Sequence, residues 1–166
     1  KVGHSLIKAK MRESGAALAG EMSGHIFFKH RFFGFDDATY AATRLAEIVS
    51  RDGAPLADHL EGIPETFVTP EIRLDVGDDG IKFRVAELVA SSLIDDPLPG
   101  TRDIVTLDGV RAIFEDGWGL VRASNTQPVL VMRAEANSTE RRDAIEAELR
   151  ARVSAAEQSA RGELIS

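Results

Sequence analysis

The sequence predicts an α/β portion, a partial α/β/α sandwich, followed by a compact α+β domain of mainly antiparallel sheet with two helices on one face. Three observations carry this. Helical periodicity alternates with short apolar runs up to about Leu60. A cluster of Gly62-Ile63-Pro64 and Thr69-Pro70 then punctuates the chain. Beyond it a strand, a helix, four strands and a helix follow in order, which suits helices layered on one sheet face. The predicted domains are 1–62 and 63–166.

The elements follow from local pattern. Ser5 to Glu13 places Leu6, Ile7, Lys10 and Met11 at helical spacing, and Ser14-Gly15 stops it. Ala16 to Gly20 is a short apolar run that predicts a buried strand. Phe27-Phe28 and Phe32-Phe33 mark an aromatic segment. Asp36 or Asp37 caps a helix whose Ala41, Leu45, Ile48 and Val49 share a stripe, and Gly53 ends it. Pro55 to Glu61 predicts one more short helix. Glu71 to Val76 alternates as a strand does, and Asp78 or Asp79 caps a helix with Ile81, Val85, Leu88 and Val89 on one face. Strands follow at Ile104–Leu107, Val110–Phe114, Trp118–Arg122 and Val129–Ala134, the first three joined by turns at Asp108-Gly109 and Asp116-Gly117. Asn137-Ser138-Thr139-Glu140 opens a last helix striped by Ile145, Leu149, Val153 and Ala156. The first portion has too few strands to close a covered sheet, which predicts a fragment or a missing partner.

Composition narrows the function. Hydrophobic residues make up 43% and charged residues 28%, the balance of a soluble globular chain. A net charge of −7 disfavours nucleic acid and anionic membrane as partners. No cysteine occurs, so disulfides, thiolate metal sites and cysteine nucleophiles are excluded, in keeping with a cytoplasmic location. No apolar run approaches the roughly 20 residues that span a bilayer. The histidines lack H-E-x-x-H spacing and no Asp-x-Asp-x-Asp cluster occurs, so no metal site is predicted.

Two loops carry recognition chemistry. Arg122-Ala123-Ser124-Asn125-Thr126-Gln127-Pro128 lies between strand segments and offers a guanidinium, two hydroxyls and two carboxamides, with no acid. That set suits a phosphate dianion, with Arg122 gripping oxygens bidentately and Ser124, Asn125 and Thr126 donating. A polar hairpin tip without ligand is the plain alternative. Gly20-Glu21-Met22-Ser23-Gly24-His25 is the second loop. In extended geometry Glu21 and Ser23 point the same way, placing a carboxylate and a hydroxyl to receive sugar hydroxyls. Otherwise Glu21 caps a helix and Ser23 closes a turn. His25 can move protons near neutrality, and His4 stands just ahead of a helix where it could orient a ligand oxygen. These residues give no complete reaction centre.

At these two loops the chain resembles the α-D-phosphohexomutase family, in its bacterial phosphomannomutase/phosphoglucomutase branch. The Gly20–His25 stretch is similar to the sugar-recognition loop of that family's third domain, and Arg122–Pro128 to the phosphate loop of its fourth. Gly3-His4-Ser5, the Phe27–Phe35 segment and Asp36-Asp37 also fit. The resemblance implies interconversion of hexose 6-phosphate and hexose 1-phosphate through a phosphoserine and a bisphosphorylated sugar. It also implies Mg²⁺, glucose 1,6-bisphosphate as activating intermediate, and a phosphosugar substrate. Glu21 and Ser23 would then hold hydroxyls, Arg122, Ser124, Asn125 and Thr126 the non-transferring phosphate, and His4 and His25 would line the cleft, with His25 aiding proton transfer. The family's phosphoserine loop and Asp-rich metal loop have no counterpart here, so the remaining domains of the same enzyme are the expected partners and the chain is expected to be inactive alone. A phosphoglucosamine mutase is the near alternative, disfavoured by Met22 and by Ser124-Asn125-Thr126-Gln127-Pro128. A non-catalytic phosphosugar-binding module is the alternative from another class.

Overall fold

A computed structural model describes residues 3–77 and 79–163. The chain forms two compact units, Lys1–Ile63 and Pro64–Ser166.

The first unit is two helices and a small ribbon. Helix α1 (His4–Ser14) leads to β1 (Leu18–Gly20) and β2 (Ile26–Phe28), which pair antiparallel with Gly20 opposite Ile26. Helix α2 (Ala38–Asp52) follows. The Asp37 carboxylate accepts from the Tyr40 N–H at 2.8 Å, so Asp37 is its cap, and Gly53 closes it with its N–H on the Val49 carbonyl. A 3₁₀ turn spans Leu56–Leu60. Arg31-Phe32-Phe33 lies in a turn and bend, with Phe32 stacked on Tyr40 at 4.0 Å. Phe27 and Met11 are buried here.

Two expectations fail in this unit. The predicted buried strand leaves Leu18 56% exposed, and the stripe of α2 leaves Leu45, Ile48 and Val49 exposed. Both elements form, but among the described residues no further strand of this unit covers them. Periodicity reports which face is apolar; it does not supply the surface that buries it.

The second unit is closed around one core. Strands β3 (Phe67–Val68) and β4 (Ile72–Asp75) both pair with β8 (Val129–Ala136). On its other edge β8 pairs with β7 (Gly117–Ala123), then β6 (Val110–Ile113) and β5 (Asp103–Val105), all antiparallel. Thr69 bridges the break between β3 and β4. Its N–H reaches the Ala134 carbonyl, and its buried Oγ1 accepts from the Ala134 N–H, so no ladder group is lost.

Helices α3 (Asp79–Asp95) and α4 (Thr139–Glu163) pack on each other and on one face of this sheet. Asp78, one of the two predicted caps of α3, lies outside the described residues. Val85, Val89 and Leu93 of α3 and Ile145, Leu149 and Val153 of α4 meet Val110, Val121, Leu130 and Met132 from the strands, all buried. At roughly 1.5–3 kcal/mol per fully buried aliphatic side chain, this layer is the main source of the unit's stability. Gly119 lets α4 approach: a Cβ there would lie 2.6 Å from Leu149 Cδ1 and 2.7 Å from Ile145 Cγ2. The last helix is capped by Ser138, whose Oγ accepts from the Arg141 N–H. The third helical position is Arg141, which has no acceptor for the reciprocal half of a capping box, and its guanidinium pairs with Asp116.

Candidate functional site

The sugar-loop candidate is the β1–β2 connection. The Glu21 N–H donates to the His25 carbonyl at 2.9 Å, and the Gly24 N–H to the Glu21 carbonyl at 2.9 Å. The loop is therefore a tight turn, and the extended geometry that would align Glu21 with Ser23 is not present. Ser23 is exposed, while Glu21 is half-buried. One oxygen of Glu21, Oε1, is buried without a hydrogen-bond partner among the described residues. Among the described residues Glu21 caps no helix. A buried carboxylate oxygen left unpaired costs stability unless a donor arrives, and a ligand hydroxyl would be such a donor.

Tertiary structure brings His4 and His25 together at the mouth of this turn. Their ring centroids lie 4.6 Å apart, edge to face. Asp36, expected as a helix cap or a loop charge, joins them. Its Oδ2 lies 2.7 Å from His25 Nδ1 and 3.7 Å from His4 Nε2. An isolated bridge between Phe27 and Asp36 sets the Asp36 backbone beside β2, and the Ile26 N–H reaches its Oδ1 at 3.3 Å. A carboxylate on Nδ1 orients a ring and leaves the other nitrogen as the acceptor. Residues 4, 25 and 36 have no motif spacing, so only the strand bridge could reveal this cluster.

The phosphate-loop candidate is the β7–β8 connection. Strand β7 holds Arg122 as predicted and runs one residue further, to Ala123, so the loop proper is Ser124 to Pro128. The Ser124 N–H closes the hairpin on the Val129 carbonyl at 2.9 Å. Ser124 is 8% exposed, and its Oγ accepts from the Thr126 and Gln127 N–H groups at 3.3 and 3.2 Å. It shapes the turn from inside. Asn125 and Thr126 are exposed at the tip. The half-buried Arg122 has its own neighbour's carbonyl, Ala123 O, at 3.5 Å.

Two cations that loop composition did not suggest hold this turn. Lys82 of α3, 4% exposed, donates from Nζ to the Gln127 carbonyl at 2.9 Å. Arg73 of β4 donates to Gln127 Oε1 at 3.0 Å. Lys82 is a charged residue inside an otherwise apolar helix face, next to Ile81 and three before Val85. That is the signal that could have found it.

The family models for phosphoglucomutase/phosphomannomutase match twice in order: the alpha/beta/alpha domain III over residues 1–67 and the C-terminal domain over residues 71–152. A phosphomannomutase/phosphoglucomutase of Pseudomonas aeruginosa is 50% identical over 159 residues, 96% of this chain and 33% of that protein. One from Pseudomonas syringae is 54% identical over 138 residues, covering 83% and 29%, and a phosphoglucomutase of Neisseria gonorrhoeae is 46% identical over the same shares. The crystal structure of a phosphoglucomutase/phosphomannomutase family protein from Burkholderia thailandensis superposes with a TM-score of 0.80 at 45% identity, over 94% of this chain and 32% of that one. The chain thus spans about a third of the length of the relatives it matches. With both halves matched in order and the folds superposing, the chain belongs to the phosphoglucomutase/phosphomannomutase family, in the region of that family's domain III and C-terminal domain.

Proposed function

We propose that this chain is the sugar- and phosphate-recognition portion of a phosphohexomutase that interconverts hexose 6-phosphate and hexose 1-phosphate. Phosphoryl transfer through a phosphoserine is the work of other parts of the same enzyme. The observation that carries this reading is the unpaired Glu21 Oε1 beside two imidazoles, in a chain half-identical to phosphomannomutase/phosphoglucomutase.

In this reading Glu21 accepts from adjacent sugar hydroxyls, with Ser23 contributing a further donor. His4 lines the site. His25, held by Asp36 through Nδ1, keeps its other nitrogen to exchange a proton with a sugar hydroxyl. In the second unit Arg122, Asn125 and Thr126 grip the phosphate that is not being transferred. Ser124 holds the turn and has its own O–H left to donate. Such a grip must serve both orientations of a bisphosphorylated sugar, so donors without shape selectivity suit it. Glucose 1,6-bisphosphate is the matching intermediate. The exposed Leu18, Leu45 and Ile48 support packing against further domains of the same enzyme.

The Mg²⁺ that the family resemblance implies does not fit the residues present. Among the described residues the potential ligand cluster is His4, His25 and Asp36, whereas Mg²⁺ takes oxygen ligands. No helix among the described residues is long and apolar enough to cross a membrane.

The test is mutase activity of the full-length enzyme containing this chain, assayed on mannose and glucose phosphates with Arg122→Ala and Glu21→Gln. Loss of activity with both supports the reading. Wild-type kcat/KM with either overturns that residue's role.

A further inference from the structure

We propose that His4, His25 and Asp36 form a binding site for a divalent transition-metal ion of the zinc class, separate from any Mg²⁺ chemistry. The ligand set is two imidazoles and one carboxylate, which suits zinc and its neighbours in the first transition row and is poorly matched to Mg²⁺. Each residue offers one ligand atom, and the three atoms all lie within 4.8 Å of one another, with His25 Nδ1 and His4 Nε2 at 2.7 and 3.7 Å from Asp36 Oδ2. Around an ion with bonds of about 2.1 Å, ligand atoms stand roughly 3.0–3.4 Å apart. The observed separations bracket that span, so adjustments on the order of an ångström would close the site.

The ligands are mounted on structure, not on free loops. His4 opens α1, with its ring against the fully buried Phe27 at 5.4 Å. His25 enters β2, and Asp36 is tied to the same strand by the Phe27–Asp36 bridge and the Ile26 N–H. That N–H on Oδ1 leaves Oδ2 to face both rings, the outer support that orients a ligating carboxylate. The ion-pair partners of Asp36 among the described residues are these two imidazoles, and no Lys or Arg there neutralises it. The two imidazole rings are about half exposed, so an ion can enter, and water completes its shell.

Binding places the ion on His25 Nδ1, and the proton held between that nitrogen and Asp36 moves through solvent to the ring's other nitrogen, so the neutral imidazole changes tautomer. The ring's other nitrogen then carries a proton and cannot accept one. An ion of this class is thus an antagonist of any proton transfer by His25. The site itself stands on geometry and is independent of the mutase reading.

The experiment is a ZnCl₂ titration of the 166-residue chain, followed by imidazole NMR signals, with MgCl₂ in parallel. The His4 and His25 signals should shift together and saturate at one ion per chain, while Mg²⁺ shifts neither. His4→Ala and Asp36→Asn should each weaken zinc binding at least tenfold, with His30→Ala unchanged and circular dichroism confirming the folds. Should Asp36→Asn unfold the unit, His4→Gln, at an exposed helix end, decides alone. Absence of saturable binding below millimolar zinc, or unaltered affinity in His4→Ala, overturns the proposal.

Discussion

The Lys82 ammonium, buried in α3, donates to the Gln127 backbone carbonyl at 2.9 Å and so ties a helix to the hairpin tip that carries Asn125 and Thr126. Lys82→Met keeps the length of the side chain and removes the donor. The carbonyl loses a charged partner, which costs about 1.5–3 kcal/mol. Chemical denaturation of the chain should show this loss. Unchanged stability would mean the tether contributes nothing.

Gly109 has φ +72°, and a Cβ on it would lie 2.6 Å from both Cα and Cβ of Arg122, with the Val121 carbonyl closer still. Backbone cannot yield there as a side chain can. Gly109→Ala should therefore destabilise by more than Gly119→Ala, whose Cβ has side-chain atoms of Leu149 and Ile145, not backbone, as its nearest neighbours. Overpacking of the Gly119 kind costs about 1–3 kcal/mol. Thermal melts of the two variants rank them, and the reverse order would refute the geometry.

On the proposed role of Arg122, Arg122→Ala in the full-length enzyme removes one or two charged hydrogen bonds to phosphate, about 1.5–3 kcal/mol each. A fall in kcat/KM of ten- to a hundredfold or more is expected on hexose 1-phosphate. Steady-state kinetics measure it.

Glu21→Gln should impair sugar use while leaving inorganic phosphate affinity intact, since the proposed phosphate ligands belong to the other unit. Competitive inhibition by phosphate separates the two. Equal loss of both would indicate misfolding, not recognition.

Glu47 of α2 faces Arg31, Arg44 and Arg51, at 3.1, 3.0 and 2.6 Å. The Arg31 hydrogen bond is the largest influence and holds its carboxyl below the usual value of 4.5; desolvation, next in size, opposes it, and the charges of Arg31, Arg44 and Arg51 each add to the lowering. A depressed folded value means the stabilisation is complete above 4.5 and is lost as pH falls through the lower folded value. Carboxyl NMR titration should give a midpoint under 4.5, and Arg31→Ala should move it upward. An unmoved midpoint would remove Arg31 as the cause.

Legibility differed between the units for a physical reason. The stripe Ile145, Leu149, Val153 and Ala156 is buried as predicted, and the turns at Gly109 and Gly117 stand where expected. In that unit local pattern and tertiary cover agree. In the first unit the pattern of Leu45, Ile48 and Val49 is equally clear, yet these side chains stay exposed among that unit's described residues.

The linear order of residues by itself determined the helices, the hairpins, the α/β-then-α+β class and the two polar loops, because each depends on neighbours within a few positions. Family membership was legible in those same loops. Only the tertiary structure decided that Asp36 faces two imidazoles rather than capping a helix, and that Lys82 holds the hairpin tip. Those outcomes depend on contacts across 11, 32 or 45 positions, between His25 and Asp36, His4 and Asp36, and Lys82 and Gln127. Strand pairing and helix packing create such contacts, and no local periodicity encodes them.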